Sequence, residues 1–518
     1  MSKQLIPLSI AAPGFLGLNT QQAGSILPVG WATRLTNAVF DDVGRIGSRK
    51  GTTRLHSSAQ AGTPTNRSLF EYVEQNGTTV TIFAGGNKIW KEALGTVTDI
   101  TGTITTPTAD NWQFANFNNM CVGYQASHEP IVMETQASTF IDATDLGGTD
   151  TKVMQNGNIG FSGFGRTWTV VGNTLYYSDL LIHSYDGGSS GNLDLGKFWP
   201  NGMDEAVAID EFAGLLVVFG KKSIIIYENP DDVGNMSILE GISNMGAMGR
   251  DTVQAVGKDL VFLSTTGLRS LSRSVQKEEM PLTDLSSHVR GDLVSAALDE
   301  VPAYMTSVYN SVDGFVLYSF PTVGKSFYFD LKFPNEDGSW KATTWDLAPT
   351  ALMFSRDNVM HMAVTDGYVS QYISSKDDNT IGTTDGASYL FDYEGVWNDL
   401  SQDQPEVAPL LKIPKTVSVL ANSGASGGAT FKWAFDYSSA MSTLPLTFTP
   451  SDFDRYDGVS TYNTTYTYSA TQGEFERIRG SMSQSGQVIK TGLTILIDGE
   501  AFALQRIDIL VKLGRQAI

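Results

Sequence analysis

One pattern recurs along most of this chain: a short run of β-branched or aromatic residues, a turn of Gly, Asn or Asp, and a second such run. The first clear copy has residues 79–84, the turn Gly85-Gly86-Asn87, and 88–91 with Ile89 and Trp90. Residues 167–171 turn at Gly172-Asn173 into Leu175-Tyr176-Tyr177, and 215–219 turn at Gly220-Lys221-Lys222 into 224–227. Further copies turn near Thr266-Gly267, around Val323-Gly324 and at Asp366-Gly367. Gly and Asn accept the left-handed backbone of tight turns, and β-branched or aromatic side chains suit a pleated, half-buried surface, so each copy reads as a β-hairpin. Neighbouring copies lie about 40 to 60 residues apart after a wider first gap, which is the period of four-stranded propeller blades. An array of β-sandwiches would also yield hairpins. A propeller is the expectation, because each small sheet has two apolar faces, and radial packing buries both while ring closure protects the edges.

The rest of the chain departs from this pattern. Asp284 can cap a short helix carrying Leu285, Val289, Leu293 and Ala297 on one face, ended by Pro302 and bridging two blades. The first 70 residues are rich in Gly, Pro and Thr. After about Asp377 come a polar break (375–386), strands over 411–420 and 430–435, a turn-rich stretch over 452–471, and closing strands over 487–497 and 501–512. Alternation in the last strand slips near Arg506, which predicts a bulge. The expected class is therefore mainly β: a β-propeller plus a β-sandwich-like platform domain. Residues 1–70 form an N-terminal arm contributing to the platform, 71–376 the propeller, and 377–518 the C-terminal β-rich platform.

The net charge of −20 argues against stable nucleic-acid binding, which draws its affinity from neutralised phosphates. It suits a surface along which DNA passes without sticking, and equally one that is merely soluble. The single cysteine, Cys121, excludes an internal disulfide. Residues 1–12 carry no secretory pattern, and apolar runs such as 215–219 and 224–227 are too short for a bilayer, so a chain made in the cytoplasm, with no membrane partner, is expected.

Motifs that would carry bond-making chemistry are weak. His56, His128, His183, His288 and His361 are scattered, with no second His or Cys at metal-ligand spacing, and read as surface or packed residues. Gly187-Gly188-Ser189-Ser190-Gly191 and Gly424-Ala425-Ser426-Gly427-Gly428 match G-x-S-x-G in Gly/Ser loops, without the strand-to-helix elbow that strains the serine outward. Asp452, Asp454 and Asp457-Gly458 miss the spacing of a calcium loop. The acidic pairs Asp231-Asp232 and Asp377-Asp378 could suggest glycoside hydrolysis but are expected by chance among 55 acidic residues. Asp337-Gly338-Ser339-Trp340 has part of a sialidase Asp box. No catalytic, cofactor-binding or metal-binding residue is assigned. One basic cluster, Arg45, Arg49, Lys50 and Arg54, is interleaved with Gly44, Gly47 and Gly51. It reads as an exposed strip, either a solvated loop or a docking surface for an acidic neighbour.

The opening Gly14-Phe15-Leu16-Gly17-Leu18-Asn19-Thr20-Gln21, then Leu35-Thr36-Asn37-Ala38-Val39-Phe40-Asp41 and Gly44-Arg45-Ile46-Gly47-Ser48-Arg49-Lys50-Gly51, resembles the start of the tail nozzle or tail-stabilisation proteins of short-tailed bacteriophages. Residues 215–224 and 246–271 resemble blade segments of the same proteins, and Phe502-Ala503-Leu504-Gln505-Arg506-Ile507-Asp508 is similar to their final strand. The resemblance implies a structural, non-enzymatic virion protein of the tail: a sixfold homo-oligomeric ring whose channel conducts the genome during ejection. It implies neighbours as well, an adaptor (head-tail connector) ring above and fibres, spikes or a needle at the side or tip, and DNA that passes without stable binding. Two other readings stay open. Nine Trp, 19 Tyr and the many acids fit a carbohydrate-binding or glycan-cleaving propeller of a phage tail. A minor tail or hub protein of a long-tailed phage shares the same structural class.

Overall fold

A computed structural model describes residues 5–104, 111–126, 128–146, 154–186, 188–200, 202–272, 284–373, 377–380, 386–399, 405–423, 428–448, 475–499 and 501–516. Asp452, Asp454 and Asp457-Gly458 lie outside these residues, as do parts of both G-x-S-x-G matches and of the 375–386 break.

Within the described residues the chain is a β-propeller joined to a β-sandwich. Seven small antiparallel units follow one another between Asn66 and Tyr372. Their first strands are Asn66–Val73, Gln113–Phe117, Ile159–Gly163, Ala206–Phe212, Val253–Val256, Thr306–Asn310 and Ala351–Phe354. Each such strand touches the next around a ring, blade four meeting blade five through the turn Arg250–Thr252, and the strand of blade seven touches that of blade one. The ring is thus closed, with the inner strands around its axis. The N-terminal arm completes it: Thr52–Arg54 pairs antiparallel with Val369–Tyr372 as the outer strand of blade seven. The expected hairpins are all present, and the wide first gap holds blade two, Gln113–Phe117 through Ile141–Asp142. Its first turn is Asn118-Asn119, both left-handed at φ 44° and 63°.

The helix between blades five and six starts later than expected, at Arg290–Asp299. Asp284 instead organises a turn, accepting from the Ser286 amide (2.9 Å) and hydroxyl (2.7 Å). Leu285, Val289, Leu293 and Ala297 are all buried as expected, but only Leu293 and Ala297 lie on the helix.

The platform is two packed sheets. One contains Leu410–Ser423, Phe475–Ser481 and Phe502–Gln516, together with the arm strands Leu5–Ala11, Ala38–Phe40 and Ile46–Ser48. The expected bulge is there: Leu420 faces Arg506 while Ala421 faces Leu504, leaving Gln505 as the extra residue. The other is half of a nine-stranded sheet that runs without a break from blade six (Thr306–Asn310 to Lys341–Trp345), through arm strand Arg34–Thr36, into Tyr389–Glu394, Ile489–Ile497, Gly428–Phe435 and Ser442–Thr447. Phe502 packs edge-on against Phe391 (5.3 Å) and Phe448 (5.8 Å) between the two sheets. Each such buried ring contributes roughly 1.5–3 kcal/mol. The arm therefore belongs to propeller and platform together.

Candidate functional site

The basic cluster sits where arm, blades six and seven, and platform meet. The structure corrects the exposed strip expected there: each of its four cations faces a carboxylate of the same chain. Arg49 has a fully buried side chain. Its Nη1 donates to Asp378 Oδ1 (2.8 Å), its Nη2 to Asp378 Oδ2 (2.5 Å), and its Nε to Asn37 Oδ1 (3.1 Å). The guanidinium lies 3.8 Å from the ring centre of Tyr389 and 5.8 Å from that of Trp345. Burial pulls the Arg49 pKa down, but the Asp378 hydrogen bonds and charge outweigh it and leave it raised. Lys50 pairs with Asp313 (2.7 Å), Arg45 with Asp41 (2.6 Å), and Arg54 with Asp366 (2.7 Å) while stacking 3.7 Å from the Tyr368 ring centre. A planar fork matched to a carboxylate and stacked on an aromatic face suits arginine, and removing either partner would strand a buried charge. Gly51 makes the seam possible, because a Cβ there would stand 2.1 Å from the Asp377 carbonyl oxygen.

Phe15 of the opening motif packs in the same region. The Lys341 ammonium lies 3.5 Å from its ring centre and 5.8 Å from those of Phe40 and Phe333. Burial lowers the Lys341 pKa to about 8. Beside the seam, a cleft of about 420 Å³ is lined by Arg34, Thr36, Asp292, Lys325, Trp345 and Asp346, among others. Its charges are mixed, and Arg34 is held by Asp392 (3.2 Å) and Glu394 (3.4 Å).

A second polar centre links segments that lead into several blades. Arg250, just ahead of blade five, donates to the Asn158 carbonyl (2.9 Å) ahead of blade three and to Asn111 Oδ1 (2.8 Å) ahead of blade two. Asn111 Nδ2 in turn donates to the Ala303 carbonyl ahead of blade six. Arg250, with Asn111 as intermediary, thus links segments leading into four blades.

The remaining motif residues serve separate local contacts. Asp377 accepts the Gly499 amide at 2.5 Å, and Asp378 belongs to Arg49, so this acidic pair braces the seam. Asp232 accepts from Asn235 (2.7 Å) within a turn. Asp337 accepts the Ser339 amide (2.9 Å) and hydroxyl (2.6 Å) within its turn, and its other oxygen lies 3.1 Å from His288 Nε2. His56 accepts the Val369 amide on Nε2 (3.2 Å), contacts the Ser58 carbonyl through Nδ1 (2.7 Å) and stacks on Tyr368. That arrangement fits a neutral ring, and burial lowers its pKa. Among the described residues no three His, Cys, Asp or Glu side chains are grouped to hold a metal ion. No described helix is long and apolar enough to cross a membrane.

No family model and no curated protein matches the chain. Solved structures do. A chain of a mitotic checkpoint complex is 10% identical, covering 69% of this chain and 99% of its own, with a TM-score of 0.39. The WD40 domain of Neurospora crassa Pan2 is 9% identical over 63% of this chain and 96% of its own (TM-score 0.38). The WD40 propeller of Doa1 is 9% identical over 63% and 98% (TM-score 0.37). These are propellers of other functions, and the blade order above carries the fold assignment without them.

Proposed function

We propose that this chain is a structural subunit of a short-tailed phage tail: a nozzle ring of identical copies that conducts the genome and attaches tail-tip parts below an adaptor. The observation that carries the reading is where the family-like opening motifs lie. Asn37 and Arg49 form the core of the seam, Phe15 packs on Lys341, and the arm strands enter both platform sheets and blade seven. The opening residues that resemble the nozzle family are ones that weld propeller to platform, which is what a load-transmitting ring subunit needs. The excess of acid suits a wall that DNA passes without sticking. In this reading the DNA path runs along the axis of the ring of copies.

Gold-labelled antibody against the chain, imaged on the virions that carry it, tests the proposal. Label at the tail tip is the expected result, and label on the capsid shell, or none on particles, rules it out. Turnover of a polysaccharide by the purified chain would favour the sugar-cleaving alternative.

A further inference from the structure

Open sheet edges invite pairing with another chain, and natural proteins keep them short, charged or covered. Six of the seven blades here follow that rule among the described residues. The outer strands of blades one, two and three, Thr96–Asp99, Ile141–Asp142 and Gly191–Asp194, are short and each carries an aspartate. Blade five is covered by the segment that follows it, where the Leu285 amide donates to the Leu268 carbonyl (3.0 Å). Blade six continues into the platform, and the outer strand of blade seven is bridged by Thr380. Blade four is the exception in length and exposed apolar surface, although it too carries one carboxylate, Glu240. Its outer strand, Ser237–Ser243, runs for seven residues with no lysine, arginine or proline. Ile238 and Leu239 are 38% and 53% exposed on it. A register step opposite Ile226 and Tyr227 leaves Leu239 without a cross-strand partner, beside Ile238.

Carboxylates predominate along this edge, with Lys221 and Lys222 only at the end next to Ser243 and Lys221 paired with Glu205. Between Lys222 and Arg250 the chain has no cation and four carboxylates, Glu228, Asp231, Asp232 and Glu240. We propose that this edge is a docking site for an extended, lysine- or arginine-bearing segment of a partner protein, added as a fifth strand to blade four. The added strand pairs with Glu240–Ser243, its aliphatic side chains cover Ile238 and Leu239, and its cations face the four carboxylates. A second copy of this chain is a poor occupant, since its net charge is −20 and its one basic cluster is engaged in internal pairs. The inference stands whether or not copies assemble into a tail ring.

The test uses the full chain and a fluorescent, alternating lysine–valine peptide. A glutamate–valine peptide and an N-methylated lysine–valine peptide serve as controls. Anisotropy should report binding of the basic peptide alone, and hydrogen exchange should slow in residues 237–243 and not at other blade edges. Leu239→Lys, a change at an exposed site, should weaken binding by roughly tenfold or more. Four outcomes overturn the proposal: no binding, equal binding of the acidic or the N-methylated peptide, protection elsewhere, or self-association that L239K abolishes while the peptide has no effect.

Discussion

The two halves of the propeller are built differently. On the side away from the platform, blades one to four hold separate small cores, with Ile82 and Phe114 in one and Trp168, Leu216 and Ile225 in another. On the platform side, blades six and seven and part of blade five share one continuous core with the sandwich, from Val261 and Phe315 through Trp345 to Phe391 and Ile509. The first half is a row of units that depend on their neighbours. The second is fused by the arm and locked by Arg49. Local damage should stay local in the first half and spread in the second.

Removing the lock gives the largest expected effect. Arg49→Ala leaves the Asp378 carboxylate buried without its guanidinium and should cost about 3–5 kcal/mol. Urea unfolding would measure it, and hydrogen exchange should quicken in blades six and seven and in the platform together. Arg49→Lys should recover little, because lysine supplies neither the fork to Asp378 nor the stacking on Tyr389. Wild-type stability in either variant would mean that the halves do not depend on the seam.

Leu216→Ala, at a fully buried position of blade four, should cost about 2–3 kcal/mol through its cavity. Here exchange should quicken in blades three and four while the platform strands keep their protection. Equal loosening of the platform would erase the contrast.

The seam was invisible in the sequence for a physical reason. Glycines around Arg45, Arg49 and Lys50 are the local mark of a solvated loop, while the partner that buries Arg49 is 329 positions away. An adjacent acidic pair such as Asp377-Asp378 looks the same by composition whether it braces a seam or faces water. The blades were legible because their information is local: turn residues such as Gly172 and Gly367 do adopt positive φ (60° and 76°), and the flanking runs alternate as strands. Blade two carried the same mark in Asn118-Asn119, an asparagine turn where the other units use glycine. The start of the helix was misplaced because Asp284 can cap a helix or close a turn, and Ser286 settles it for the turn.

Acid should act on blade seven and blade four with opposite sign. His361, in blade seven, is held by burial at a pKa of about 4, against 6.5 for a free ring. Below 6.5 the unfolded chain takes up a proton the native ring refuses, so this stability is full above that pH and is lost as pH falls toward 4, by up to about 3 kcal/mol. Asp210, in blade four, is raised by burial to about 6 from 3.8. The native carboxyl keeps a proton that the unfolded one releases, so blade four gains stability as pH falls through this range. Exchange at pH 7 and pH 5 should show blade seven loosening and blade four tightening. His361→Leu and Asp210→Asn should each flatten the response of its own blade, and a shared response would break the comparison.

The smallest effect tests whether ion pairing as such distinguishes the halves. Lys221 and Glu205 lie 2.7 Å apart in blade four, as close as many pairs in the seam, yet their side chains are 56% and 67% exposed. Water already solvates both groups, salt screens their attraction, and fixing two long side chains costs entropy, so Lys221→Met should change stability by less than about 1 kcal/mol. Its effect should fade further in 0.5 M salt, whereas the Arg49→Ala loss should persist, because salt does not reach a buried guanidinium. A large, salt-resistant loss at Lys221 would mean that the outer blades are also held by their charges, and the division between separate cores and a locked seam would no longer explain the stability of the two halves.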